Sequence, residues 1–341
     1  MTPAILFQRL LLSLLLSLPA ATTLAARPAG FDQGIDDFIQ EMTAKHGFDR
    51  QQLRQLMSQA NYRQSIIDAI TRPAEAKPWR DYRPIFVTAD RAAEGVVYWQ
   101  ANQGLLDRAD QEYGVPPEIV TAIIGVETRY GRHAGSYPVI DALSTLAFAY
   151  PKRAKFFRRE LEEFLLLSRE EQVSSDKALG SYAGALGKPQ FIPSSYRAYA
   201  VDFDADGRRD LWASDADVIG SVAAYFKRHG WQPGRPVTSR ALGVTESHRK
   251  LADRGMKPSI RLDHLQTTGI RPEQALALPD DTLSSLIRLE GDDGIEYWLG
   301  LPNFYTITRY NHSNLYAMAV YQLSQEIKRQ KLQQEAPVAD Q

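Results

Sequence analysis

The pattern of apolar and polar positions predicts that most of the chain is helical. Apolar residues first recur at helical spacing between Phe31 and Met42, and Asp49 is placed to cap the helix that follows. The same spacing predicts further helices over residues 90–113, 138–149, 155–167 and 313–330. Ser194 or Ser195 is placed to cap another helix, after a loop rich in glycine and proline.

Two stretches interrupt the helical pattern. Residues 71–90 contain three prolines, so Trp79 and Tyr82 are predicted to lie in a loop or extended segment. From residue 235 to 308 the runs are short and β-rich, including 304–310 (FYTITRY), and an Asp-Asp-Gly sequence predicts a hairpin. We therefore predict a small β-subdomain inserted before the last helix.

The helix predicted from Val115 carries a carboxylate on its apolar face. Glu127 follows Ile123 and Ile124 by one turn, so a continuing helix points all three side chains the same way. A carboxylate in apolar surroundings is unfavourable unless it is paired or protonated. Two interpretations stay open: a structural ion pair with Arg129 or Arg132, or a general acid with a raised pKa, as in glycoside hydrolysis.

Residues 202–213 (DFDADGRRDLWA) match a calcium-binding loop. The expected donors at positions one, three, five and seven are Asp202, Asp204, Asp206 and the backbone carbonyl of Arg208. Position twelve holds alanine instead of the usual glutamate, so Asp215 or Asp217 is expected to supply the last carboxylate. Oxygen ligands alone favour calcium over zinc or copper, and we expect a structural ion.

Composition and missing motifs exclude several function classes. The formal net charge of −1 gives no electrostatic case for a nucleic-acid partner. The sequence has no H-E-x-x-H pair, Walker motif or G-x-S-x-G elbow, and no organic cofactor is predicted. By elimination the chemistry falls on a carboxylate, with Glu127 the best candidate. The sixteen tyrosines, thirteen phenylalanines and five tryptophans suit a carbohydrate ligand.

The first residues have the layout of a secretory signal peptide. Arg9 precedes an apolar run from Leu10 to Leu18, Pro19 ends it, and small residues follow as far as Ala26. The chain has no cysteine, so it can form no disulfide and cannot accept a lipid on cysteine. We expect a soluble protein of the bacterial periplasm without a membrane anchor.

Four motifs, in this order, resemble the lytic murein transglycosylase B family (glycoside hydrolase family 103) in its soluble form. They are GVETRYG (125–131), SYAGALGKPQFIPSSY (181–196), the calcium loop ending in DVIGS (217–221), and RYNHSNLYAMAV (309–320). The resemblance covers nearly all of the mature chain. It implies a mainly α (α+β) fold with a lysozyme-like helical catalytic core, an N-terminal helical subdomain and the small inserted β-subdomain.

We therefore expect six segments along the chain. They are a signal peptide (1–26), an N-terminal helical subdomain with the first part of the cleft (27–110), the catalytic core with the calcium loop (111–234), the β-subdomain (235–308), a final helix returning to the core (309–332) and a disordered tail (333–341).

The resemblance implies that the chain acts on peptidoglycan glycan strands, and we expect it to do so as a monomer. It implies non-hydrolytic cleavage of the β-1,4 bond between N-acetylmuramic acid and N-acetylglucosamine, leaving a 1,6-anhydromuramic end. Glu127 would be the only acid and base, since the substrate's N-acetyl group assists at C1. The alternatives are a hydrolytic muramidase, which needs a second carboxylate, and a non-catalytic peptidoglycan-binding protein.

The resemblance also implies the roles of other residues. Ser181 and Gln190 correspond to polar residues of the cleft beside the catalytic glutamate. The side chains expected to contact sugar are Tyr82, Tyr225, Tyr310, Asn311 and Tyr316. The calcium ligands carried over are Asp202, Asp204, Asp206, the Arg208 carbonyl and Asp217.

Overall fold

The computed structural model describes residues 26–71 and 77–335. The first helices are α1 (Phe31–His46), α2 (Arg50–Ser58), α3 (Gln64–Ile70), α4 (Trp79–Phe86), α5 (Ala89–Ala101) and α6 (Gln103–Tyr113). The next are α7 (Pro117–Thr128), α8 (Val139–Ala149), α9 (Ala154–Glu170), α10 (Pro193–Tyr199) and α11 (Asp215–Arg228). The last are α12 (Arg249–Ala252), α13 (Leu262–Thr267), α14 (Pro302–Tyr310) and α15 (Asn314–Glu335). None of these helices is long and apolar enough to cross a membrane.

The strands form two antiparallel sheets within the described residues. Strands β1 (Tyr137–Pro138) and β2 (Leu179–Gly180) pair in the helical part of the chain. The larger sheet contains β3 (Thr238–Leu242), β4 (Ile260–Arg261), β5 (Arg271–Pro272), β6 (Leu283–Gly291) and β7 (Gly294–Gly300). Its order is β4-β6-β7-β3-β5, and β6 and β7 form the hairpin predicted from the Asp-Asp-Gly sequence.

Helix α7 is the centre of the helical core. Every residue from Glu118 to Val126 is buried, and α7 packs against α5, α6, α11 and α15. Pro117 starts the helix at a position where the missing N–H has no intrahelical partner to lose. A helix held on so many sides is a rigid support for a functional side chain at its C-terminal end.

Strand β6 joins the larger sheet to this core. Leu286 packs in a separate small cluster under the sheet, with Ile260, Leu265 and Leu299 among its members. Ile287, the next residue, points to the opposite face and belongs to the helical core. The sheet therefore has a core of its own and is fixed to the helices through β6 and, at Trp298, through β7.

Several local predictions are confirmed by the helix ends. Asp49 caps α2 by accepting a hydrogen bond from Gln52 N, and Gly114 ends α6 in a left-handed conformation. The helix predicted over 90–113 is interrupted at Asn102, whose side chain donates to Tyr98 O at 3.0 Å. Such competition of an asparagine side chain with the backbone favours a helix end.

The prediction of an extended segment around Trp79 and Tyr82 is wrong, because these residues lie in α4 with Pro84 inside the helix. Pro84 removes one backbone hydrogen bond, whereas Trp79 and Tyr82 both become buried. Burial of two large aromatic side chains contributes about 3 to 6 kcal/mol, enough to offset a proline in so short a helix. Tertiary packing decides this segment.

Residues 302–310, predicted to be β-rich, form α14, so the strands of the larger sheet end at Gly300. Pro302 occupies the first turn of α14, and Phe304 and Ile307 bury one face of it in the core. Ser194 and Ser195 do not cap α10, because Pro193 already lies in its first turn after Ile192.

The last helix, α15, is longer than predicted and includes residues 333–335, which were expected to be disordered. The rest of the predicted tail, and the predicted signal peptide except for Ala26, lie outside the described residues.

Candidate active site

Glu127 lies at the end of α7, and its carboxylate is held by a residue of α15. The Tyr316 hydroxyl donates a hydrogen bond to Glu127 Oε1 at 2.6 Å. Burial raises the pKa of Glu127 to about 7, although the hydrogen bond from Tyr316 acts in the opposite direction. A carboxyl group with this pKa can both donate and accept a proton near neutral pH.

Both arginines that could have paired with Glu127 bind another carboxylate. Arg129 Nε and Nη2 each donate to Glu94 at 2.7 Å, and Arg132 Nη1 donates to Glu94 Oε1 at 3.0 Å. Glu127 forms no ion pair with any cation in the described part of the chain. Of the two interpretations left open by the sequence, the geometry therefore favours an unpaired acid.

The chain turns sharply after Glu127. Arg129 and Tyr130 have positive φ angles of 50° and 60°, which non-glycine residues rarely adopt. The Tyr130 hydroxyl donates to Arg91 O at 2.8 Å, and a Cβ on Gly125 would lie 2.6 Å from that hydroxyl oxygen. Gly125 thus lets the Tyr130 ring fold back against α7, which fixes the turn beside Glu127.

Ser181 and Gln190 lie in one tight loop. The Ser181 hydroxyl accepts hydrogen bonds from the N–H groups of Ala183 and Ala185, so it stabilises its own turn. Gln190 has a positive φ of 55°, and its side-chain nitrogen donates to the carbonyls of Ala134 and Gly187. Its side-chain oxygen accepts no hydrogen bond from the described residues, which leaves it available to a ligand.

Tyr310 connects this loop to Glu127. Its hydroxyl donates to Pro189 O at 2.6 Å, and its ring lies parallel to that of Tyr316 at 6.5 Å between centroids. Burial and then the nearby Glu127 carboxylate raise the pKa of Tyr310. The structure therefore brings Glu127, Tyr310, Tyr316 and the loop of Gln190 together.

The other predicted sugar-contacting residues have different environments. Tyr225 is buried, and its hydroxyl donates to Arg309 O at 2.6 Å while its ring packs against Tyr310. Tyr82 is buried in α4 beside Trp79. The pKa of Tyr316 is raised mainly by burial and by Glu127, and Tyr82 makes a smaller contribution in the same direction. Asn311 is exposed directly after α14. Tyr225 and Tyr82 thus form part of the packed wall, and Asn311 part of the solvent-exposed edge.

Three carboxylates of the predicted calcium loop converge. One oxygen each from Asp202, Asp204 and Asp217 lies within 4.8 Å of the others. None of these three carboxylates forms an ion pair with a cation of the described residues. Burial raises the pKa of Asp217, and the neighbouring Asp204 and Asp202 carboxylates add smaller effects in the same direction. A set of oxygen donors without a counter-charge fits a hard divalent cation such as calcium.

The remaining loop residues have other partners. The Asp206 carboxylate accepts a hydrogen bond from Arg208 N at 2.9 Å and is outside the group of three. Asp215, one of the two candidates for the last ligand, binds Lys188 at 2.8 Å. The geometry therefore favours Asp217 over Asp215 as the last carboxylate.

Comparison with known proteins places this site in a family. A model of the transglycosylase SLT domain matches residues 30–325. The chain belongs to this family. It is 47% identical over 306 residues to the membrane-bound lytic murein transglycosylase B of Escherichia coli (strain K12), covering 87% of this chain and 83% of the relative.

Solved structures agree with the assignment. The crystal structure of the soluble lytic transglycosylase SltB1 from Pseudomonas aeruginosa matches with a TM-score of 0.83 and 54% identity, over 87% of this chain and 99% of that one. The Escherichia coli lytic transglycosylase Slt35 in complex with calcium matches with a TM-score of 0.80 and 46% identity, over 88% and 94%. The resemblance to the transglycosylase B family and the mainly helical, lysozyme-like fold are confirmed.

Sequence reasoning missed a residue that links the two sites of this SLT-domain transglycosylase. Lys188 Nζ binds Asp215 beside the calcium loop, and its backbone N–H donates to Leu211 O at 2.8 Å. Its carbonyl accepts a hydrogen bond from the Thr128 hydroxyl at 2.8 Å, next to Glu127. Nothing in the sequence signals this role, because the partners of Lys188 are all more than 20 residues away along the chain.

Proposed function

We propose that this lytic murein transglycosylase cleaves the β-1,4 bond between N-acetylmuramic acid and N-acetylglucosamine, leaves a 1,6-anhydromuramic end, and uses Glu127 as its only acid and base. The observation that carries the proposal is the environment of Glu127. Its pKa is raised to about 7 by burial, against the hydrogen bond from Tyr316, and no cation of the described residues forms an ion pair with it. Glycosidases that use water normally place a second carboxylate across the scissile bond.

Each step follows from this environment. Protonated Glu127 gives its proton to the glycosidic oxygen as the bond to C1 breaks, and the substrate's N-acetyl group stabilises the positive charge at C1. The resulting Glu127 carboxylate then accepts the proton of the C6 hydroxyl while that oxygen attacks C1. The proton returns to Glu127, no water is consumed, and the Tyr316 hydroxyl stabilises the carboxylate between the two steps.

The cleft residues divide into two proposed roles. Gln190, with a free side-chain oxygen, and Asn311, which is exposed, would donate or accept hydrogen bonds with the sugar. The rings of Tyr82, Tyr225 and Tyr310 would shape the wall on which it rests. Ser181, whose hydroxyl binds its own loop, would act mainly through the position of that loop.

Asp202, Asp204 and Asp217 would hold a calcium ion, with Asp206 and the Arg208 carbonyl completing the ligand set. The uncompensated charge of the three converging carboxylates supports this, as does the calcium complex of the Escherichia coli relative. The ion would supply charge neutralisation to the loop and take no part in bond cleavage.

We further propose secretion into the periplasm, which the N-terminal sequence supports, and action there without a membrane anchor. We also propose that the chain has the segments expected from its sequence, except that the sheet ends at Gly300 and the last helix at Glu335. The proposal includes action as a monomer.

The products of digestion separate this function from its alternatives. Purified sacculi digested with the wild-type protein should release muropeptides lighter by one water than those with reducing ends. Reducing ends would instead identify a hydrolytic muramidase, and binding without release would identify a non-catalytic protein. Mass spectrometry of the released material distinguishes the three outcomes.

The Tyr316→Phe variant should move the alkaline limb of the pH–rate profile to higher pH. In the wild-type protein the hydrogen bond from Tyr316 lowers the pKa of Glu127. Without this bond the pKa rises above about 7, and Glu127 stays protonated further into the alkaline range. The maximal rate should fall about tenfold, because Glu127 loses its positioning contact. The profile is measured on soluble glycan strands.

Tyr310→Phe is the matched control, since it removes a hydroxyl that binds Pro189 O and not Glu127. Its alkaline limb should stay close to that of the wild type. An unchanged or downward-shifted limb in Tyr316→Phe would contradict the proposed role of this hydrogen bond.

A further inference from the structure

A groove lies between the larger sheet and helices α4 and α15. Two cavities, of about 750 and 640 Å³, are both lined by Arg240, Trp298 and Tyr321, so they lie next to each other. The first extends towards α4 and the hairpin of β6 and β7. The second extends towards residues 273–277, after β5. Each is within the size range of sites for small ligands.

This groove is separate from the cleft of Glu127. Neither cavity is lined by Glu127, Tyr316 or Gln190. Gln325 of α15 lines the groove and lies nine residues after Tyr316. At about 3.6 residues per turn, nine residues make two and a half turns, so the two side chains point to opposite sides of the helix. The groove therefore lies on the opposite side of α15 from the hydroxyl that binds Glu127.

The walls combine aromatic rings with guanidinium groups. Trp298 and Tyr321 are half-buried in the groove, and the Arg240 guanidinium lies 5.3 Å from the Trp298 ring centre and 2.6 Å from Glu296. Half-buried rings of this kind offer flat apolar faces, on which sugar rings stack.

Two further arginines, Arg80 and Arg83, project from α4 into the same groove. Both are exposed, and neither pairs with a carboxylate of the described residues. Arg83 Nε donates to Gln322 Oε1 at 2.6 Å. The pKa of Glu326, which also lines the groove, is lowered mainly by its hydrogen-bonded ion pair with Arg329, and the charge of Arg83 adds a smaller effect in the same direction. Since neither Arg80 nor Arg83 forms an ion pair among the described residues, both guanidinium groups can bind carboxylates of a ligand.

We propose that this groove is a second, non-catalytic binding site for peptidoglycan, one that takes a glycan strand together with its peptide stems. The aromatic faces would stack on sugar rings, while Arg80 and Arg83 would bind stem carboxylates. The inference rests on the proposed function, which supplies the polymer. A site on the far side of α15 would hold a strand other than the one being cleaved, and so would keep the enzyme on a cross-linked wall between cleavage events.

Sedimentation with sacculi tests the site apart from catalysis. In the full-length Glu127→Gln protein, which should not degrade the sacculi, Arg80→Gln/Arg83→Gln is expected to weaken binding about threefold to tenfold. On sacculi stripped of their peptides by an amidase, the same double substitution should have no effect. Trp298→Leu, which removes the aromatic face and keeps an apolar side chain, should weaken binding to both materials.

Arg50→Gln/Arg54→Gln, which removes two exposed charges from α2, is the matched control and should bind both materials like its parent. Unchanged binding of Arg80→Gln/Arg83→Gln, or an equal loss on intact and stripped sacculi, would overturn the proposal. Equal melting temperatures of the variants establish that they fold. Failure of the proposed function would be seen separately, in the products of the wild-type digestion.

Discussion

Replacement of Glu127 by glutamine is expected to lower the rate of anhydromuropeptide release by about 10³-fold, since one residue supplies both acid and base catalysis. The amide has nearly the same shape and can still accept the hydrogen bond of Tyr316. It cannot give a proton to the glycosidic oxygen or take one from the C6 hydroxyl. Mass spectrometry of muropeptides released from sacculi over time measures the rate.

Glu94→Gln is the control for this substitution. Glu94 binds Arg129 and Arg132 in the turn that follows Glu127, so its loss perturbs the neighbourhood without removing the proposed acid. We expect this variant to lose activity only severalfold. A Glu127→Gln protein that retained substantial activity would contradict the role of Glu127, and an equal loss in Glu94→Gln would attribute the effect to disturbed structure.

The stability of Glu127→Gln provides an independent check. Burial raises the pKa of Glu127 from 4.5 to about 7, so the folded state disfavours the ionised form. The resulting destabilisation is absent below pH 4.5, grows between pH 4.5 and 7, and is complete above pH 7. Glutamine does not ionise, so the variant should melt at or above the wild-type temperature at pH 8 and show no advantage at pH 4.

The position of Glu127 could be predicted because it depends on local information. Helical spacing placed its carboxylate on the face of Ile123 and Ile124, and the apolar run before it predicted burial. Its hydrogen-bond donor could not be found in this way, since Tyr316 is 189 residues away and belongs to the last helix. Only the resemblance of the motif at 309–320 indicated that the two residues meet.

The wrong predictions have a common cause. Pro84 in α4 and the β-branched threonines of α14 oppose helix formation locally, and both helices exist because they bury aromatic and aliphatic side chains in the core. The calcium loop departs from the twelve-residue template at Ala213, as its sequence indicated. Ser214 caps α11, and Asp217, in the first turn of that helix, lies beside Asp202 and Asp204.

Calcium is expected to raise the melting temperature of the wild-type protein by about 5 °C, and Asp202→Asn to remove the rise. An ion at 100 times its Kd that binds only the folded state stabilises it by about 2.7 kcal/mol, which corresponds to several degrees in a protein of this size. Asp202 accepts a hydrogen bond from Asp206 N at Oδ1 and one from Gly207 N at Oδ2, and asparagine can keep only one of the two, so the substitution removes the charge and one acceptor. Calorimetry in calcium and in chelator measures both states.

The difference between the two proteins should depend on the ion. In chelator, Asp202→Asn should melt close to the wild-type temperature, because relief of repulsion among three carboxylates that have no counter-charge in the described chain offsets the lost hydrogen-bond acceptor. In calcium it should melt below the wild type, because it has lost a ligand. Asp281→Asn, at an exposed acid far along the chain, should keep the full rise. A wild-type melting temperature that is equal in calcium and chelator would contradict a metal site, since a loop held only by its own hydrogen bonds has no reason to respond to the ion.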